Sequence, residues 1–73
     1  MTPEQVKEIL QAALPDCTIE VTGGDAKFHV RARGEVFQGK MPVKQQQIVY
    51  GHLNEHIRSG AIHAVTMDLG AAD

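Results

Sequence analysis

The chain has 73 residues, a net charge of −2 and a single cysteine, Cys17. That length makes one domain, spanning 1–73, which buries only about 60% of the surface its unfolded form exposes. A lone cysteine excludes an intrachain disulfide, no apolar run approaches the roughly 18 residues of a membrane span, and the scattered charges exclude a polybasic nucleic-acid tail.

Met1-Thr2-Pro3-Glu4 lacks the basic and apolar regions of a signal peptide, so the sequence reads as cytoplasmic. Thr2 can cap a helix, Pro3 suits its first position and Gln5 completes a capping box. Val6, Ile9, Leu10, Ala13 and Leu14 follow at helical spacing, which predicts a helix over 3–14 that stops at Pro15-Asp16.

Cys17, Ile19 and Val21 then alternate with Thr18, Glu20 and Thr22, the pattern of a half-buried strand. Gly23-Gly24-Asp25 is a turn, and a second strand follows with Phe28, Val30 and Ala32 on one face and Lys27, His29, Arg31 and Arg33 on the other. The two strands make an antiparallel hairpin with one face to the core.

Gly34 to Met41 reads as a loop with Val36 and Phe37 tucked beneath it. Val43, Gln47, Ile48, Tyr50, Leu53 and Ile57 keep roughly helical spacing, interrupted by Gly51. A glycine inside a helix costs up to about 1 kcal/mol against alanine, so two short helices or one kinked helix are expected, ending at Ser59-Gly60. Ala61 to Leu69 is a third strand, apolar enough to be central. The helical crossover makes it parallel to the second strand. The fold class is therefore α+β, in the order α-β-β-α-α-β, with helices on one face of a three-stranded mixed sheet. Gly70 to Asp73 reads as a frayed tail.

Read from its own residues, His63 is an odd packing choice in an apolar strand. A structural histidine satisfied by one hydrogen bond is the commoner case, and a metal ligand for iron or zinc is the functional one. His52 and His56 share a helix face at a spacing that suits zinc, without the third ligand zinc requires. Lys40, Lys44, Arg31 and Arg33 are available to phosphates, and Gln45, Gln46 and Gln47 to base edges, but the charge supply is thin and DNA binding should be weak. No nucleophile–base pair, paired-carboxylate motif or phosphate loop is present, so an enzyme is not expected.

Phe37-x-Gly39, then Val43, Gln47, Val49 and Tyr50, then Leu53, Ile57 and Ile62-His63-Ala64, resemble the BolA family. The resemblance implies a fold related to the type II KH domain, although the Gly-x-x-Gly clamp is absent. It implies pairing with a monothiol glutaredoxin across a bridging 2Fe–2S cluster, with His63 as one ligand and the glutaredoxin cysteine and glutathione as others. Each iron takes four ligands, sulfides included, so one position remains. In the family it comes from the loop between the first two strands as Cys or His. Here that loop, 23–27, holds neither, and the candidates in order are His29, Asp25 and Cys17. A solvated side chain on a polar strand face is the competing reading for His29. Gly39, Lys40, Lys44, Gln45 and Gln47 would form the surface for the partner or, in the alternative role of transcriptional regulator, for DNA. Alone, the chain would be a monomer or homodimer. Many members add a C-terminal helix with a Thr-x-x-Glu-x-Trp signature, which is not in this sequence.

Overall fold

The computed structural model describes residues 1–72. Helix α1 (Pro3–Ala13) opens with the expected capping box: Thr2 Oγ1 accepts from the Gln5 N–H at 3.2 Å, and Gln5 Oε1 accepts from the Thr2 N–H at 2.8 Å. Two of the N–H groups that a helix start leaves orphaned are satisfied this way. Its buried stripe is Val6 and Leu10, continued by Leu14 just beyond the helix.

Strands β1 (Thr18–Gly24) and β2 (Lys27–Arg33) pair antiparallel, from Thr18 opposite Arg33 to Gly24 opposite Lys27. The alternation is as expected on β2, where Phe28, Val30 and Ala32 are buried and Lys27, His29 and Arg31 are exposed. A short 3-10 turn, Glu35–Phe37, carries Phe37 into the core, where it is fully buried. The Phe37 N–H donates to the carbonyl of Gly34, and Gly34 lies against Cys17.

Helix α2 (Pro42–Arg58) is one continuous helix of 17 residues. The expectation of two short helices meeting at Gly51 is therefore corrected: one helix runs through the glycine, and the order is α-β-β-α-β. Gly51 lies on the exposed face, and Val49 and Leu53 on either side of it are fully buried. Packing of those neighbours outweighs a propensity cost of about 1 kcal/mol. The helix stops as predicted, with the Ser59 N–H on the Glu55 carbonyl and Gly60 at φ 87.

Strand β3 (Ala64–Gly70) pairs parallel to β2, giving the sheet order β1-β2-β3. Two expectations change here. The strand begins later than Ala61, because Ile62 leaves the helix end to fill the core at 1% exposure. It is also an edge strand, and β2 is the central one. The sheet is three-stranded and mixed, as expected. One core holds Val6, Leu10, Ile19, Phe28, Val30, Phe37, Val49, Leu53 and Ile62, drawn from both helices, strands β1 and β2, the 3-10 turn and the α2–β3 connection. Among the described residues no helix is long and apolar enough to cross a membrane.

Candidate functional site

His63 lies where the α2–β3 connection meets the β1–β2 turn. Backbone bonds pin it from both sides. The Ile62 N–H donates to the His56 carbonyl at 3.0 Å, and the His63 and Ala64 N–H groups both donate to the Ala26 carbonyl, at 2.7 and 3.2 Å. The side chain is exposed and borders a groove of about 260 Å³ with Tyr50, Ile57 and Val65. Buried Ile62 on one side and the strand on the other thus fix the backbone of an accessible imidazole.

The turn that accepts those bonds is itself constrained. Asp25 and Ala26 have φ of 53 and 65, the two consecutive positive values that a two-residue type I′ hairpin requires. Alanine in that region costs roughly 1 kcal/mol. The sequence pointed to Gly23-Gly24-Asp25 and missed Ala26. Counting the strand register inward from both sides, which leaves residues 25 and 26 unpaired, was the signal that would have found it. The turn places Asp25, exposed, at the same end of the sheet as His63.

His29 does not join His63. β2 and β3 are adjacent and parallel, but His29 stands opposite Thr66, three residues along the chain from His63, which lies in the bend before β3. His29 shares a 2.7 Å hydrogen bond with Thr66 Oγ1 on the solvent face of the sheet, whereas His63 borders the groove beside α2. Cys17 precedes β1 at the opposite end of the sheet from the turn, buried at 8% exposure. Burial first, and Asp16 second, push its thiol pKa up, so it is a protonated packing group at neutral pH. His52 is exposed and His56 half-buried on α2. No three His, Cys, Asp or Glu side chains among the described residues cluster as a metal site would require.

The segment from Gly39 to Gln47 turns the chain into α2, with Gly39 at φ 73. Two of its polar side chains are committed to the loop: Lys40 Nζ donates to the Val36 carbonyl at 2.7 Å, and Gln45 Nε2 to the Phe37 carbonyl at 2.9 Å. Lys44 and Gln47 border an open, largely apolar depression with Met41 and Ile48, and Met41 is 71% exposed. On the sheet's open face Arg33 is held by Asp68 at 2.9 Å, with Arg31 at 3.8 Å from the same carboxylate. Exposed pairs of this kind contribute little stability, but they occupy both arginines of that face.

Residues 5–73 match the family of BolA-like proteins. The chain belongs to the BolA family. Among its relatives is an uncharacterized protein from the rpoN-murA intergenic region of Acinetobacter guillouiae, 49% identical over 92% of this chain and 81% of that one. The acid stress protein IbaG of Escherichia coli K12 is 40% identical over 92% of this chain and 80% of its own length. A solved BolA homologue from Coxiella burnetii superposes with a TM-score of 0.84, covering 97% of this chain and 91% of that one; at 21% identity it shows the fold. Within this BolA fold, helices on one face leave the other open, and the β1–β2 turn lies directly beside the histidine that precedes β3.

Proposed function

We propose that this BolA protein partners a monothiol glutaredoxin and contributes His63 to a bridging 2Fe–2S cluster that it binds or transfers. The observation that carries the reading is the pair of hydrogen bonds that the His63 and Ala64 N–H groups donate to the Ala26 carbonyl. It holds one exposed imidazole on a fixed backbone beside the turn from which the family draws a second ligand.

The donor set fits a single-ligand contribution. His63 supplies a nitrogen suited to iron, and a glutaredoxin cysteine and glutathione supply thiolates. The hydrogen bond between His29 and Thr66 on the solvent face of the sheet argues against His29 as the second ligand. Asp25 is in the right place but is a harder oxygen donor. The cluster would supply electron-transfer or cluster-donation chemistry, and this chain's part is to present the imidazole. The relation to IbaG, an acid stress protein, agrees with a role in stress physiology. The apolar depression around Met41 gives the partner a surface to cover, with Lys44 and Gln47 at its border. The same segment is a poor DNA surface, because Lys40 and Gln45 are tied to their own loop.

The test mixes the protein with a monothiol glutaredoxin and glutathione under cluster-reconstituting conditions and reads visible absorption and circular dichroism. His63→Ala should abolish the spectrum of the mixed complex while far-ultraviolet dichroism stays native. His29→Ala should leave the spectrum unchanged. An unaltered spectrum with His63→Ala removes His63 from the site.

A further inference from the structure

The sheet has two edges, and they are treated differently. β1 is flanked by Glu4, Lys7 and Glu20, charges of the kind that discourage a strand from adding there. β3 has no lysine and no proline, and its one charge, Asp68, is engaged by Arg33 on the open face. The direction of its free backbone groups follows from two bonds. The Ala64 N–H donates to the Ala26 carbonyl, and the Gly70 carbonyl accepts from the Gly34 N–H. Even-numbered residues of β3 therefore point towards β2. Backbone direction alternates along a strand, so the N–H and C=O groups of Val65, Met67 and Leu69 point out of the sheet's edge. Among the described residues no turn, loop or cap backbone bond reaches these three. Their side chains are half-buried on the inner face, where the grooves below Tyr50 and Ile57 and below Pro42 and Gln46 run along the strand.

We propose that this edge pairs with the same edge of a second copy, antiparallel about a two-fold axis at Met67, so that two sheets become one. The sequence of β3 is self-complementary in that register. Met67 meets Met67 and Val65 meets Leu69 on the inner face, while Thr66 lies opposite Asp68 on the open face, a hydroxyl beside a carboxylate. About six backbone hydrogen bonds form, two for each outward-facing pair. Moving the two-fold axis to Asp68 sets like charges opposite each other. Moving it to Thr66 brings Leu69 opposite residue 63, which lies before the strand. The axis stands perpendicular to the sheet, so both copies keep their helices on one side, and the half-buried Val65, Met67 and Leu69 of each cover those of the other. Pairing β3 with β1 of another copy is heterologous, leaves an edge free at each step and builds an open chain. The isologous pairing closes. It uses no atom of His63, so it stands or falls apart from the cluster reading.

Sedimentation from micromolar to millimolar protein should show the average mass rising from 8.0 kDa towards twice that value. Met67→Pro removes an N–H that points outward and bonds to nothing within the sheet, so the variant should stay folded and remain monomeric. Met67→Lys, which sets two ammonium groups against each other at the axis, should also be monomeric and serves if the proline variant does not fold. Position 67 meets itself at a Cα separation of about 5.5 Å, within disulfide range. Met67→Cys should therefore oxidise to a covalent dimer. Leu69→Cys, with its mate more than about 13 Å away along the strand, should not. A wild-type protein that stays monomeric at millimolar concentration, a dimer that survives both Met67 variants, or a Leu69→Cys cross-link as rapid as that at 67 would each overturn the proposal.

Discussion

β2 and β3 are both seven-residue strands with apolar residues on the inner face, but they do not occupy equivalent positions. On β2 the inner residues are sealed, with Phe28 4% exposed and Val30 and Ala32 at 0%. On β3 the corresponding Val65, Met67 and Leu69 are only half-buried. β2 carries basic or imidazole side chains in alternation, Lys27, His29, Arg31 and Arg33, and still lies at the centre. A sheet covered on one face asks only for alternation from its central strand, and burial comes from strands on both sides and helices above. An apolar run such as Ile62–Met67 therefore says that a strand packs, and says nothing of whether it has one neighbour or two.

The largest expected effect tests that contrast in stability. Phe28→Ala should cost about 3–5 kcal/mol, enough to unfold much of so small a domain, while Leu69→Ala should cost at most about 2 kcal/mol because part of its surface is already in water. Urea denaturation of the two variants measures the difference. Equal losses would show that β3 is as well covered as β2, and the distinction between them would fail.

The same contrast marks what the sequence could and could not disclose. The capping box at Thr2 and Gln5, the stripe of Val6 and Leu10, the alternation of β2 and the parallel crossover were legible because each is a local pattern with a fixed period. The edge position of β3 was not, since strand order is set by contacts distant in sequence. His63 was visible as an unusual residue, but its relation to His29 depended on where β3 begins. Hydropathy does not distinguish a start at Ala61 from one at Ala64, and the observed start at Ala64 leaves His63 in the bend before the strand, outside the pairing that sets His29 opposite Thr66. Gly51 misleads when its propensity is weighed without its buried neighbours.

A second, smaller comparison uses two glycines that the sheet joins, since the Gly34 N–H donates to the Gly70 carbonyl at 3.0 Å. Gly34 follows β2, and a methyl group there would stand 2.5 Å from Cys17 Sγ and 3.3 Å from Cys17 Cα. Gly70 ends β3, where the nearest atom would be Arg33 Nε at 3.5 Å, an ordinary contact. Gly34→Ala should lose about 1–3 kcal/mol and Gly70→Ala should be nearly neutral. Pairing Gly34→Ala with Cys17→Ala, which removes the obstructing sulfur, should lose less than the sum of the two single changes. Strict additivity would mean that the thiol is not what Gly34 accommodates.

The smallest effect has the opposite sign and concerns the helix that lies over the looser strand. Gly51 is exposed within α2, has no left-handed φ, and a methyl group built on it meets nothing within 4 Å. Nothing in the folded state resists a side chain there, whereas the unfolded chain loses conformations when glycine becomes alanine. Gly51→Ala should therefore raise stability by roughly 0.5–1 kcal/mol, read as a higher urea midpoint with an unchanged slope. The change strengthens α2 without adding a contact to β3. Amide exchange should therefore slow along the helix, while the outward-pointing N–H groups of Val65, Met67 and Leu69 keep their rates in dilute protein. Destabilisation by Gly51→Ala would mean that the helix is kinked at Gly51 and needs the glycine there. Protection spreading to those three amides would mean that the looseness of β3 originates in the helix above it and not in its missing neighbour strand.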